Sequence, residues 1–251
     1  MTAVEVTEGV LVTTSAIDVT TSTIVVRGRE VLLVDPAWVP SELVALADLL
    51  HARGLTVAAG FSTHAHHDHL LWHPRFGDAP RWASPRTAEL AVSERAGLLE
   101  NMGKGWPDGL LALFARVEAL DAGRLPEPWG EVELVVHDGH APGHTALWYP
   151  DRGVLLAGDM LSDIELPLPF GPDDLPAYLA GLDALAPYVA RAQLLVPGHG
   201  HPTTDPLARL DADRRYLADV ISRGESDDPR IGKPGMAENH AHLQRMVRET
   251  L

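Results

Sequence analysis

The chain has 251 residues, of which 45% are hydrophobic and 22% are charged, and this balance excludes a disordered, collagen-like or coiled-coil protein. It contains no cysteine, which excludes disulfide bonds, thiolate nucleophiles and thiolate metal ligands. The formal net charge of −15 disfavours nucleic acid as a partner, because acidic groups repel the phosphate backbone.

The N-terminus, Met1 to Glu5, has neither the basic start nor the apolar core of a secretory signal. No apolar stretch of the sequence is long enough to span a bilayer. We therefore expect a cytoplasmic protein that has no membrane partner.

The first half of the chain predicts short strands and helices. Apolar and β-branched runs separated by polar residues predict the strands, and a stripe of leucines at helical period predicts the first helix. The predicted strands are 10–12, 23–26, 31–34 and 55–61, and the predicted helix is 40–53. Residues 85–122 have a helical pattern with a break at Gly103–Gly109, so we expect a helical insertion at about 85–122.

The second half repeats this succession of strands followed by a helix. The predicted strands are 132–136, 147–149, 154–156 and 194–196, and the predicted helices are 173–189, 205–223 and 236–250. Strand runs followed by a helix thus occur twice, in 4–53 and in 132–189. We therefore expect one α/β domain over 1–251 with two similar halves, closed by helices at about 205–251.

The richest cluster of potential ligands directly follows the strand predicted at 55–61. Its sequence is His64-Ala65-His66-His67-Asp68-His69. In an extended segment His64 and His66 point to the same side and can chelate one metal ion, because side chains alternate along a strand. If the chain then turns into a helix, Asp68 and His69 project differently and can serve a second ion. Imidazole and carboxylate without thiolate suit Zn²⁺, and also Fe or Mn.

Three further candidate ligands stand near the ends of predicted strands in the second half. They are His144 in Ala141-Pro142-Gly143-His144-Thr145, Asp159 after the run 154–158, and His199 after the strand 194–196. Because α/β sheets place their sites at strand ends, we expect these residues to join the histidine cluster.

The ordered set of His64-x-His66-x-Asp68-His69, His144, Asp159 and His199 resembles the metallo-β-lactamase superfamily. More narrowly, it resembles the branch that contains glyoxalase II and the lactone hydrolases. The resemblance covers residues 4–202 and implies an α/β (α+β) fold of the four-layer αββα sandwich type. Since superfamily β-lactamases with a single-cysteine metal site need a thiolate, the absence of cysteine excludes that group here.

The resemblance also implies a role for each matched residue. One metal ion takes His64, His66 and His144, a second takes Asp68, His69 and His199, and Asp159 bridges the two. Asp68 is the expected catalytic residue, which orients the nucleophile and shuttles its proton. Asp35 and His140 are expected to support the ligand histidines, because acceptors of the second ring N–H fix the imidazole tautomer.

The implied activity is that of a dinuclear zinc hydrolase with two Zn²⁺ per chain, for which Fe or Mn are alternative metals. A metal-bridged hydroxide would cleave an ester, a thioester or a lactone. Two alternatives are a mononuclear iron dioxygenase acting on persulfides and, ranked lower, a phosphodiesterase. The implied partner is a small-molecule substrate, and the sequence is compatible with an oligomer.

Aromatic residues near these motifs are candidates for binding the substrate, because ligand pockets are lined mainly by apolar and aromatic side chains. Trp72 follows the histidine cluster, Trp106 lies in the break of the helical insertion, and Phe170 follows Asp159. We expect these three side chains to contact substrate.

Overall fold

The computed structural model describes residues 2–120, 123–169 and 174–250. Its contacts divide the chain into two compact units, Met1–Leu134 and Val135–Leu251. Each unit contains a buried cluster of hydrophobic side chains of its own.

The first unit combines strands and helices. Its strands are β1 Ala3–Thr7, β2 Val10–Thr14, β3 Thr21–Arg27, β4 Glu30–Val34, β5 Thr56–Phe61, β6 Arg81–Ala83 and β7 Glu118–Ala119. Its helices are α1 Pro40–Ala52, α2 Pro85–Ser93, α3 Arg95–Met102 and α4 Asp108–Leu111. The strands form one sheet in chain order, antiparallel from β1 to β4 and parallel from β4 to β7.

The pairing of β4 with β5 decides where the polar residues after these strands lie. The two strands run in parallel with Val34 opposite Phe61, so both end at the same edge of the sheet. The backbone N–H of Asp35 donates to the carbonyl of Phe61 at 3.0 Å and extends the pairing by one residue. Asp35 and the segment that starts at Ser62 are therefore neighbours at this edge.

The second unit is built around a smaller sheet. Its elements are β8 Glu133–His137, β9 His144–Tyr149, β10 Val154–Gly158, α5 Asp174–Val189, β11 Leu194–Pro197, α6 Pro206–Arg223 and α7 Met236–Thr250, and β8 begins two residues before the unit boundary. The strand order is β11-β10-β9-β8. Since β10 is parallel to β11 and antiparallel to β9, the ends of β10 and β11 and the start of β9 lie at one edge.

The fold class predicted from the sequence is confirmed, since the chain is a mixed α/β protein with two sheets. The sequence patterns missed β1 and two very short strands, β6 and β7. Strands of two or three residues show no alternation that a pattern could reveal. The helices of the region predicted at 85–122 end at Leu111, and β7 follows. Within the described ranges, the structure contains no helix that is long and apolar enough to cross a membrane.

Candidate functional site

The first group of candidate ligands follows β5, and it is held in place by Asp35. The Asp35 carboxylate accepts the backbone N–H of Thr63 at 2.9 Å and the Thr63 hydroxyl at 2.7 Å. The same carboxylate lies 3.1 Å from Nδ1 of His69. Asp35 thus fixes the start of the histidine segment, and it orients one ring so that Nε2 faces away from it.

The histidine segment itself is a series of bends and turns, which corrects the expectation of an extended stretch followed by a helix. The turn is closed by the backbone N–H of His69, which donates to the carbonyl of His66 at 3.2 Å. The ring centroid of His64 lies 4.5 Å from that of His66 and 4.3 Å from that of His69. The bends therefore bring the ring of His69 close to that of His64, although alternation along a strand would place these two side chains on opposite faces.

Each buried ring of this segment keeps one nitrogen engaged by a supporting group. The Thr63 hydroxyl lies 3.0 Å from Nδ1 of His64, just as Asp35 lies against Nδ1 of His69. On its other side, His69 presents Nε2 to the Asp68 carboxylate at 3.4 Å. His64, Asp68 and His69 are all at least 95% buried.

The second group of candidate ligands surrounds Asp159, the residue that follows β10. Its Oδ2 atom lies 3.2 Å from Nε2 of His199 and 3.4 Å from Nε2 of His140. The backbone N–H of Asp159 donates to Nε2 of His144 at 3.1 Å. Three histidines therefore contact Asp159 at this edge of the sheet, although 55 positions separate His144 from His199.

His140 and His144 make different contacts with Asp159. His140 was expected to support other ligands, yet its ring faces the Asp159 carboxylate directly. His144 stacks on His137 with ring centroids 4.8 Å apart, and its Nε2 accepts a backbone N–H. In the sequence, the only indication of a role for His140 is that it stands four residues before His144.

Glu165 is a candidate functional residue that the sequence analysis missed. Its carboxylate Oε1 lies 3.9 Å from Nδ1 of His199, on the opposite side of the ring from Asp159. A signal was available, since Glu165 is the one acid in the otherwise apolar run 164–170, shortly after Asp159.

The donor atoms of the two groups fit a metal ion by their chemistry. The side chains that the structure identifies as able to hold an ion are His64, His66, Asp68, His69, His140, Asp159 and His199. All are imidazoles or carboxylates, which are the ligand types of Zn²⁺, Fe and Mn in proteins that lack thiolate ligands. Burying so many ionisable groups is costly unless a cation compensates them.

The residues predicted to bind substrate have different surroundings. Trp72 is 3% exposed, donates to the carbonyl of Gly77 at 3.2 Å and packs on Phe76, so it is part of the core of the first unit. Trp106 is partly exposed and lies 5.7 Å from the ring of Trp38. Phe170 lies outside the described residues.

A tryptophan that the sequence analysis did not select touches the histidine segment. Trp38 follows β4 by four residues and packs edge-on against His67, with ring centroids 5.1 Å apart. His67 in turn places Nδ1 3.8 Å from Oδ1 of Asp68. Trp106, Trp38 and His67 thus form a continuous row of aromatic rings that ends beside Asp68.

Known proteins match both the sequence and the fold of this chain. The model of the metallo-β-lactamase superfamily matches residues 17–224. Among solved structures, the metallo-β-lactamase family protein TTHA1429 from Thermus thermophilus is 23% identical, with a TM-score of 0.66 over 97% of this chain and 94% of that one. TTHA1623, solved in a di-iron-bound form, is 25% identical, with a TM-score of 0.60 over 79% of this chain and 97% of that one.

The β-lactamase DIM-1 is also similar in fold. It is 19% identical, with a TM-score of 0.65 over 87% of this chain and 97% of that one. At this identity the likeness concerns the fold and not the substrate. The family model, in contrast, spans most of the sequence and includes every candidate ligand, so the chain belongs to the metallo-β-lactamase superfamily.

Proposed function

We propose that this protein is a dinuclear zinc hydrolase that cleaves a small ester, thioester or lactone, as in the branch of glyoxalase II and the lactone hydrolases. One observation carries the proposal. In each unit one histidine lies between two carboxylates, His69 between Asp35 and Asp68, and His199 between Glu165 and Asp159. A carboxylate on the second ring nitrogen is the usual companion of a metal-bound histidine.

The proposed ligands come from both groups of candidates. They are His64, His66, Asp68, His69, Asp159 and His199, with a further histidine from the segment 138–144. The position of His144 in the sequence motif supports this residue as the further ligand. The 3.4 Å separation between Nε2 of His140 and the Asp159 carboxylate supports His140 instead. Replacing each of the two by glutamine and measuring bound metal identifies the ligand, since loss of a ligand should lower metal content more than loss of a residue that only supports one.

Bound metal ions would supply a water of lowered pKa and a Lewis acid for the substrate carbonyl. The chain's own residues have separate tasks. Asp68 carries an acceptor oxygen beside His69, and in the proposed reaction it holds the proton of the attacking water. The hydroxyl of Thr63 and the carboxylate of Asp35 keep the rings of His64 and His69 from turning.

The decisive experiment combines elemental analysis with substitution of Asp159. The purified wild-type protein is expected to contain about two zinc ions per chain and to hydrolyse a member of a panel of lactones, thioesters and phosphodiesters. Asp159→Asn removes an anionic ligand, so metal should be lost and activity should fall by more than the roughly 10–100-fold typical of residues that only support a ligand.

Asp151→Asn is the matched control for this experiment. Asp151 is an exposed residue in the turn before β10, and its replacement should change neither metal content nor activity. An Asp159→Asn protein with full activity and unchanged metal would refute the ligand assignment. A single tightly bound iron in the wild type would instead favour the dioxygenase, and iron is a relevant metal because TTHA1623 was solved in a di-iron form.

A further inference from the structure

The loop that follows Asp159, residues 160–165, is connected to His199 at two points. The Ser162 hydroxyl donates to the carbonyl of His199 at 2.8 Å, and the Glu165 carboxylate faces Nδ1 of the same residue at 3.9 Å. The Ser162 oxygen also accepts the backbone N–H groups of Ile164 and Glu165, at 3.1 and 3.0 Å. The conformation of the 160–165 loop therefore sets the position of Glu165 relative to the ring.

A buried arginine from a distant part of the chain holds this loop. Arg230 is 5% exposed, and its Nη1 lies 2.9 Å from the carbonyl of Ser162 and 3.0 Å from that of Glu165. The other side of the guanidinium is fixed by Asp228, which accepts from Nε at 3.0 Å and from Nη2 at 2.8 Å. Arg230 is thus oriented by one acid while it donates to the backbone of the loop.

Asp213 on α6 completes this arrangement. It is 1% exposed, its Oδ1 lies 2.5 Å from Nη1 of Arg230, and it accepts the backbone N–H of Leu161. Leu161 has a positive φ of 63°, a conformation that residues other than glycine rarely adopt without support. Burial raises the pKa of Asp213 to about 6, although the charge of Arg230 opposes this shift.

A buried ion pair of this kind contributes little to stability. The cost of removing both charges from water offsets their attraction, and apolar residues of similar volume often serve as well. The contacts of Arg230 and Asp213 are instead directed at the loop, to the carbonyls of Ser162 and Glu165 and to the N–H of Leu161.

We propose that Arg230 and Asp213 are positioning residues, which hold the 160–165 loop so that Glu165 faces Nδ1 of His199 and His199 keeps Nε2 against Asp159. This inference rests on the proposed function, because it assumes that His199 and Asp159 bind metal. It adds three residues, Glu165, Arg230 and Asp213, to those that determine metal affinity. None of the three is a ligand, and two come from helical regions outside the motifs.

The test replaces the buried pair by apolar residues in the double variant Arg230→Met/Asp213→Leu. Because replacing a buried ion pair by apolar residues of similar volume often leaves stability unchanged or raises it, the metal-free variant is expected to fold. Zinc affinity, measured by competition with a chelating dye, should fall roughly 10–100-fold, the loss typical when support of a ligand is removed. Amide hydrogen exchange of residues 160–165 in the metal-free protein should become faster.

A second variant and a control complete the design. Glu165→Gln keeps the loop anchored but removes the charge that faces His199, and it should lower zinc affinity without changing exchange in the loop. The control Arg214→Met/Asp183→Leu removes an exposed ion pair of the same unit and should change neither quantity. If the double variant does not fold, Arg230→Lys takes its place, because lysine keeps a buried cation but cannot contact Asp228, Asp213 and both loop carbonyls at once.

Unchanged zinc affinity in the double variant, or in Glu165→Gln, would overturn the inference. A merely structural role of the pair would change the melting temperature and leave zinc affinity as it was. Failure of the proposed function is distinct from these outcomes, because the wild-type protein itself would then bind no zinc.

Discussion

Replacement of Gly198 by alanine tests the geometry around Asp159 directly. Gly198 stands between β11 and His199, and its backbone N–H donates to the carbonyl of Gly158 at 2.6 Å. A Cβ atom at this position would lie 2.0 Å from Oδ1 of Asp159 and 3.0 Å from the carbonyl carbon of Gly158. The close approach of the backbones at the ends of β10 and β11 therefore requires glycine, and the side chain that a Cβ would meet belongs to the proposed metal ligand Asp159.

The size of the effect follows from the size of the overlap. Real Cβ atoms essentially never come within 3.0 Å of such a neighbour, so the two atoms must separate by a further 1.0 Å at least, the difference between 3.0 and 2.0 Å. Overpacking of this kind costs about 1–3 kcal/mol, which in a chain of this size lowers Tm by roughly 2–12 °C. Misplacing a reacting group by about 1 Å lowers activity by on the order of 10²-fold.

Three measurements on Gly198→Ala check this prediction: melting of the metal-free protein, zinc per chain, and hydrolysis of whichever substrate the panel identifies. All three should decrease. Gly97→Ala is the control, because a Cβ at this helical position meets nothing within 4 Å, and the change should stabilise the protein by roughly 0.5–1 kcal/mol. A Gly198→Ala protein that melts like the wild type and binds zinc as tightly would refute the placement of Asp159 against Gly198.

Two further predictions concern stability. Verified removal of bound metal should lower Tm by roughly 8–16 °C, since an ion bound only by the native state at a thousand times its Kd adds about 4 kcal/mol; an unchanged melting curve would count against a bound metal. Glu42→Gln should destabilise the protein at pH 7. Burial opposes the shift, but hydrogen bonds from Ala16, Ser15, Trp38 and Val39 lower the pKa of Glu42 below its ordinary 4.5. The ionised carboxylate therefore stabilises the fold above pH 4.5, and this contribution is lost as the pH falls further. The difference in melting temperature between the two proteins should shrink in acid, and a difference that grows there would contradict the assignment.

Local patterns in the amino-acid sequence were sufficient to predict several elements of this protein. As predicted, the continuous apolar run 31–34 folds as a buried strand, and the leucine stripe of 40–53 forms a helix that buries one face. The candidate ligand chemistry was also evident, since His64, Asp159 and His199 stand next to strands that the pattern reveals. When neighbouring strands end at the same edge of a sheet, the polar residues that follow them lie close together. Predicted strand ends were therefore enough to suggest which residues are candidate ligands.

The contacts that hold each candidate ligand in place became visible only in the folded chain. The ring of His140 faces the Asp159 carboxylate, and Nε2 of His144 accepts the backbone N–H of Asp159; neither contact follows from the sequence. Arg230 contacts Ser162 across 68 positions. A contact between residues so far apart depends on the packing of whole elements, and no periodicity in the sequence encodes it. Local sequence motifs therefore indicate the candidate metal ligands, whereas the contacts that hold these side chains in place depend on long-range packing.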